Sequence, residues 1–270
     1  MLAPAMARKN GVPRERADRV LRLLRENGSI SVKELCTAVG VSQITARRDL
    51  KDLEDLGLLR RTTGGAVLLE PLLYEPFRHD STFHEQLERN AAEKRRIGLA
   101  AAEMVRDGET IGCTAGTTTT EVIRCLRHRT DLKLKLVTNA VNIAIEMGQL
   151  KHLDVFLTGG HMRGDWFSLA GGDAIRTVRQ YYVDTAFIGV NGIDPNQGLT
   201  CFNPDEAALN AVLVEQAKRR IVVADHSKLQ VVATHQICPV EAVHLLITDL
   251  GASEEAVAPY IARGIEVRMV

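Results

Sequence analysis

Ten consecutive residues, Ile111-Gly-Cys-Thr-Ala-Gly-Thr-Thr-Thr-Thr120, hold the densest set of groups suited to an anion. They follow a β-rich run and open a segment of helical pattern over 121–128. A strand, a Gly/Thr turn and a helix amino end bring backbone N–H groups and hydroxyls to one point. The helix dipole adds positive potential there, which favours phosphate. No Gly-Lys-Ser/Thr follows, so this is not a P-loop and predicts no ATP hydrolysis. Threonines chosen only for turn geometry would give the same run, so its neighbours must carry part of the argument.

Those neighbours are polar clusters that each follow a strand-like run. Asn139 follows LKLVT, Thr158-Gly159-Gly160 follows DVFL, Gly189-Val-Asn-Gly192 follows TAFI, and Asp225-His-Ser-Lys228 follows IVVA. In a parallel sheet all of them emerge at one carboxyl edge, where open α/β folds bind ligands. Lys228 is placed to supply counter-charge to a phosphoryl group. The eight histidines are scattered without H-E-x-x-H or comparable spacing, so no metal site is expected. His226 falls in the same loop set and reads as a hydrogen-bonded loop histidine. No catalytic residue and no cofactor are assigned.

A second chemistry sits near the amino end. At 100° per residue, Ala46, Leu50 and Leu53 fall within about 40° of one another, a core-facing stripe. Ile44, Arg47, Arg48 and Lys51 fall on the opposite side. Arginine donates two bonds to guanine O6 and N7, and Lys or Arg neutralises phosphate. Gln43 and Thr45 lie in the first turn, where side chains reach base edges. Arg60 and Arg61 follow on a strand-like run, poised for the backbone or minor groove.

The elements that position these residues can be read in order. Residues 13–27 form an amphipathic helix stopped by Gly28. Ser31-Val-Lys-Glu34 is a capping box opening a short helix over 32–38. A turn at 39–41 leads to Ser42, which caps a third helix over 43–56, stopped by Gly57. Strand-like runs at 58–62 and 66–69 flank Thr63-Gly64-Gly65, a hairpin signal. Helix, short helix, turn, helix and hairpin spell a winged helix-turn-helix domain over 1–69. Residues 70–90 mix Pro, charge and isolated aromatics without period and read as a linker. From 91 to 270, helical segments (91–106, 117–128, 140–148, 171–181, 204–217, 253–262) alternate with β-rich runs. The fold class is therefore α/β: a winged head followed by an α/β domain with a mostly parallel sheet.

Composition agrees with this and excludes other classes. The 270 residues are 45% hydrophobic and 25% charged, ordinary globular values. Lys+Arg and Asp+Glu are 34 each, yet residues 1–70 carry 13 Lys/Arg against 9 Asp/Glu. A basic head on an acidic body suits a polyanionic partner. Five cysteines with no C-x-x-C pair argue against a zinc ribbon or disulfide scaffold. No apolar run approaches a membrane span, and MLAPAMARKN lacks a signal-peptide core, so a cytoplasmic location and no membrane partner are expected.

Ser42-x-x-Thr45-x-Arg47-Arg48-Asp49-Leu50-x-x-Leu53, then Gly57-Leu58-Leu59-Arg60-Arg61 and Gly64-Gly65-Ala66, resemble the DeoR family of bacterial transcriptional regulators. The resemblance runs on through Glu93-Lys94, Gly116-Thr117-Thr118-Thr119, Thr138-Asn139, Gly159-Gly160, Arg163, Gly171, DTAFIGVNG at 184–192, Asp205-Glu206-Ala207 and Asp225-x-Ser227-Lys228. It implies DNA contacts drawn from Ser31, Ser42, Gln43, Ile44, Thr45, Arg47, Arg48, Lys51, Arg60, Arg61, Gly64 and Gly65. It also implies an effector domain similar to ribose-phosphate isomerases and glucosamine-phosphate deaminases, with phosphorylated sugars as the usual effectors. The effector contacts expected are Thr114, Gly116, Thr117, Thr118, Thr119, Asn139, Gly159, Gly160, Arg163, Asn191, Gly192, Asp205, Glu206 and Lys228.

Two positions depart from the family pattern. Thr114 stands where many members have Asp, and Gln86 where many have Arg. A hydroxyl in place of the carboxylate removes one acceptor for sugar hydroxyls and one acid/base group. The runs Asn191-Gly-Ile-Asp194 and Asp205-Glu-Ala-Ala-Leu-Asn210 suggest the amino-sugar branch. The expected protein is a sequence-specific repressor of a carbohydrate-utilisation operon that answers to a phosphorylated sugar. It partners operator DNA and itself, as a dimer or tetramer. The alternative is a sugar-phosphate isomerase- or deaminase-like enzyme fused to a DNA-binding head.

Overall fold

The computed structural model describes residues 12–55, 59–68 and 82–270. Two compact units divide the chain, Met1–Glu75 and Pro76–Val270. Gly57, Leu58 and most of the stretch read as a linker lie outside the described residues.

The first unit runs α1 (Arg14–Asn27), β1 (Ser29–Ser31), α2 (Val32–Val39), α3 (Gln43–Asp55), β2 (Leu59–Thr62) and β3 (Gly65–Leu68). Its core joins Val20 and Leu24 of α1 and Leu35 of α2 to Ala46, Leu50 and Leu53 of α3. The capping box is present: Ser31 Oγ accepts from Glu34 N at 3.2 Å, and Ser31 N donates to Glu34 Oε2 at 2.8 Å. The two residues Thr63 and Gly64 join β2 to β3. Beyond the hairpin, β1 adds a third antiparallel strand, in the order β1-β3-β2. Gly65 permits that addition, since a Cβ there would meet Ile30 O at 2.0 Å.

The second unit opens with α4 (Thr82–Glu88) and α5 (Ala91–Ala102), then β4 (Thr110–Cys113) and α6 (Thr117–Leu126). It continues β5 (Leu134–Thr138), α7 (Val141–Met147), β6 (Leu153–Leu157), β7 (His161–Arg163), β8 (Ser168–Ala170) and α8 (Gly172–Val178). Next come β9 (Val183–Ile188), β10 (Gly192–Asp194), β11 (Gly198–Cys201), α9 (Pro204–Gln216) and β12 (Ala217–Val223). The chain closes with β13 (His235–Cys238), β14 (Leu245–Thr248), α10 (Glu254–Ile261) and β15 (Glu266–Met269).

Seven strands form one sheet in the order β15-β14-β12-β9-β4-β5-β6, every pairing parallel. Both faces are covered, which is why these strands are nearly continuous apolar runs. Ile221 and Val223 face one core layer with α5, α6 and α7, while Val222 faces the other with α8, α9 and α10. Leu245, Leu246 and Ile247 alternate in the same way, the period-2 signature of a strand. Among the described residues no helix is long and apolar enough to cross a membrane.

Two local features depart from the sequence reading. The described end of the 70–90 stretch is helix α4, held by fully buried Phe83, whose ring meets Phe167 edge-on at 5.5 Å. Seven residues with only two apolar side chains, Phe83 and Leu87, are too short to show a period. The hairpin β7-β8 and the antiparallel trio β10-β11-β13 also lie outside the alternating β/α pattern; strands of three or four residues carry little periodic signal.

Candidate functional site

Strand β4 lies between β9 and β5, and the connections leaving β4 and β9 run opposite ways. The chain passes from β4 through α6 in one core layer, and from β9 to β12 through α9 in the other. Such a divergence leaves a crevice at the carboxyl ends of the two strands. A cleft open to solvent lies there, the usual place for a ligand in such a sheet. Its lining includes Gln86, Ala115, Gly116, Thr117 and Thr118, then Arg163, Trp166 and Gly189 to Asn191. Cys201, Phe202, Glu206, Asn210 and Lys228 complete it.

The four threonines of α6 divide into two pairs. Thr119 Oγ1 and Thr120 Oγ1 donate back to Gly116 O at 2.9 and 2.7 Å, so they hold the turn. Thr117 and Thr118 line the cleft and are each 8% exposed, and their hydroxyls have no partner among the described residues. Helix geometry leaves the first N–H groups of α6 without intrahelical acceptors, and such a terminus favours an anion. Lys228 lines the same cleft, and its ammonium has no partner among the described residues.

The remaining charges are paired. Arg163 Nη1 lies 2.8 Å from Glu206 Oε1, which also accepts from Ser168 Oγ at 2.5 Å. Asn203 caps α9 by accepting from the N–H groups of Asp205 and Glu206, which sets the direction of Glu206. Asn191 Oδ1 accepts from Phe202 N at 3.1 Å. Burial pushes the Cys201 thiol up to about 11, so it stays protonated at neutral pH. Among the described lining residues the only carboxylate is Glu206, and no free acid/base pair faces the cleft.

A set of buried groups supports the cleft from behind. Lys94 Nζ donates to Gln86 O, and to Arg89 O at 2.5 Å, so it ties down the carboxyl end of α4. Burial pulls this ammonium below the usual lysine range, against the attraction of Asp225. Asp225 Oδ1 accepts from Asn90 Nδ2 at 2.9 Å, Ser227 N at 3.1 Å and Ser227 Oγ at 2.5 Å. Burial works to raise the Asp225 carboxyl, but the hydrogen bonds from Ser227 and Asn90 hold it below its usual range. This network joins the turn that bears Lys228 to the helix that bears Gln86.

Of the residues expected to contact an effector, Gly116, Thr117, Thr118, Arg163, Asn191, Glu206 and Lys228 line the cleft. Seven others do not line it. Thr114 is buried and accepts from Gly189 N at 2.9 Å, which makes it a brace between β4 and β9. Thr119 turns back on Gly116. Asn139 accepts from Ala115 N at 2.8 Å and donates to Leu169 O at 3.0 Å. Gly159 is exposed in a turn. Gly160 has φ +112° and sits against β8, where a Cβ would meet Ala170 O at 2.6 Å. Gly192 packs under Val231 O, which a Cβ would approach to 2.2 Å. Asp205 is exposed on the first turn of α9.

Gln86, noted only as a departure from a family pattern, lines the cleft, as do Trp166, Phe202 and Asn210. A signal for Asn210 was available, because it follows Glu206 by four residues and shares its helix face.

In the first unit, Gln43, Ile44, Arg47, Arg48 and Lys51 of α3 are exposed, with Ile44 at 82%. Ser42 Oγ accepts from Thr45 N at 3.2 Å and lies 3.0 Å from Thr45 Oγ1, so it caps α3. The Ser31 hydroxyl is engaged in its capping box. Arg60 is exposed on β2, while Arg61 Nε is held by Glu54 Oε2 at 2.6 Å. Gly64 lies at the exposed wing tip and Gly65 is buried. Asp49 was not assigned a role by its place in the helix. It is 3% exposed and takes a bidentate pair from Arg16, with Nε at 2.5 Å and Nη2 at 2.9 Å.

Comparison with known proteins matches residues 16–71 to the DeoR-like helix-turn-helix domain and residues 89–250 to the DeoR C terminal sensor domain. The chain belongs to the DeoR family. Among its DeoR-family relatives, a putative aga operon transcriptional repressor of Escherichia coli O157:H7 is 33% identical, covering 95% of this chain and 93% of that protein. The transcriptional repressor GlcR of Bacillus subtilis is 32% identical, covering 87% and 88%. The fold is also similar to ribose 5-phosphate isomerase A of Methanocaldococcus jannaschii, at 20% identity and a TM-score of 0.40, covering 52% of this chain and 54% of that one. In this chain the DNA-binding helix-turn-helix domain precedes the sensor domain.

Proposed function

We propose that this protein represses carbohydrate-utilisation genes and that a phosphorylated sugar, bound in the cleft of the second unit, controls its hold on operator DNA. One observation carries the effector reading: two threonine hydroxyls and a lysine ammonium, none with a partner among the described residues, line one cleft at the amino end of α6. A phosphate dianion answers all three. The paired state of Glu206 supports sensing rather than turnover, because an isomerase or deaminase needs a free acid/base group. The exposed basic face of α3 supports docking in the major groove. A single recognition helix covers one half-site, so the working form is a homo-oligomer.

Two measurements on the full-length protein test the reading. Fluorescence anisotropy with upstream DNA should give sequence-selective binding that weakens steeply with salt. A panel of sugar phosphates should raise the melting temperature and change DNA affinity, since a ligand that prefers the native state must stabilise it. Binding without sequence preference at every salt concentration refutes the first half. A panel that moves neither temperature nor DNA affinity refutes the second.

A further inference from the structure

Asn210 on α9 is 7% exposed, lines the cleft, and its amide has no hydrogen-bond partner among the described residues. The amide is not fully buried, so it is open to the cleft, where a ligand can supply the partner the protein does not. Glu206 stands one helical turn before it, on the same face. Its Oε1 is taken by Arg163 and Ser168, while its Oε2 receives no hydrogen bond among the described residues. The wall formed by α9 therefore carries a donor, two acceptors and a charge already balanced by Arg163. The unbalanced cation, Lys228, comes from the turn after β12.

We infer that Asn210 is the specificity-determining residue of the cleft and that it reads a neutral hydroxyl on the carbon body of the bound ligand. The inference rests on the phosphorylated-sugar reading above. A hydroxyl both donates and accepts, as the amide does, and can hand its hydrogen to Glu206 Oε2. A deoxy carbon offers neither group and strands the amide. An ammonium only donates, leaves Asn210 Nδ2 without an acceptor, and gains little from a carboxylate that Arg163 has neutralised.

Asn210 also lines a smaller cavity with Thr138, Asn139 and Thr158. A purely structural amide would be satisfied on that side, and the test separates the two cases.

The full-length protein, as wild type, Asn210→Ala and Asn210→Ser, is titrated calorimetrically with inorganic phosphate, pentose 5-phosphates, hexose 6-phosphates and their monodeoxy and amino analogues. Wild type should bind one parent sugar phosphate about tenfold or more tightly than one of its monodeoxy analogues, the penalty for stranding the amide. In Asn210→Ala that ratio should collapse to within about twofold. Asn210→Ser keeps a hydroxyl and decides the matter if the alanine variant does not fold.

An undiminished ratio in the variants, with only the melting temperature lowered, overturns the assignment and gives the amide to the inner cavity. A wild type that binds no sugar phosphate more tightly than inorganic phosphate, or that binds every analogue equally, overturns it while leaving the anion site standing. Failure to bind phosphate or any phosphorylated sugar overturns both this assignment and the reading beneath it.

Discussion

Arg163 Nη1 stands 2.8 Å from Glu206 Oε1, and this one pair decides the charge of the cleft. It cancels the carboxylate and leaves Lys228 as the unpaired charge among the described lining residues. A site with that balance draws an anion, and the anion's hold should depend on Lys228 more than on Arg163.

Lys228→Met should therefore weaken sugar-phosphate binding by about 10–100-fold, the worth of a hydrogen bond to a charged group. Lys228→Arg should recover part of the loss, since the charge returns with a different fork geometry. Calorimetric titration measures both. Equal affinity in Lys228→Met and wild type would place the anion elsewhere.

The threonine pairs should behave oppositely. Thr117→Val and Thr118→Val remove hydroxyls that lack a protein partner, so each should cost about fivefold in ligand affinity with little change in melting temperature. Thr120→Val removes one of the bonds to Gly116 O and strands the Asn142 amide that Thr120 now accepts from at 3.0 Å. It should cost about 1–2 kcal/mol of stability. Thermal unfolding and ligand titration on the same samples would reveal any reversal of this pattern.

On the DNA side, Arg47→Ala and Lys51→Ala remove exposed cations from the outer face of α3. A lost phosphate contact should lower the slope of log affinity against log salt by about 0.9, uniformly across sequences. A lost base contact should instead cost about 1–3 kcal/mol and relax selectivity at one position. Arg61 already pairs with Glu54, so Arg61→Ala should change the slope less than either. Anisotropy across a salt series, with operator and scrambled duplexes, reads all three variants.

Asp225 sets a pH dependence with a definite sign. Its carboxyl is held below the ordinary value of 3.8 in the folded chain, burial notwithstanding, by Ser227 and Asn90. The unfolded chain thus binds the proton more readily. The stabilisation is complete above the unfolded value and is lost as pH falls below 3.8 and through the folded value. Asp225→Asn should melt lower than wild type at pH 7, and the gap should narrow towards pH 3. A gap constant between pH 7 and pH 3 would show that the carboxylate is not what the network holds.

Much of the fold can be read along the chain, and particular residues show why. The stripe Ala46, Leu50 and Leu53 is buried and Ile44 is not, because the 3.6-residue period is a local property. The Ser31–Glu34 box works within three residues. Runs such as LLIT become parallel strands because covering both faces demands apolar residues throughout. Helix α4 and the three-residue strands escaped such reading, since one buried Phe83 or a three-residue stretch has no period to detect.

Local periodicity is enough for elements, and their order along the chain is enough to bring the loops after β4, β9 and β12 to one edge. Which atoms of those loops stay available is settled between residues far apart. Asn139 is spent on Ala115 and Leu169, 24 and 30 positions away. Thr114 is spent on Gly189, 75 positions away. Asp49, inside the motif that marks the recognition helix, is spent on Arg16. Gln86 and Asn210 reach the cleft from α4 and α9, helices far apart in the sequence. A polar side chain reads alike in a sequence whether its partner is the protein or a ligand, and only packing reveals which partners have already been taken.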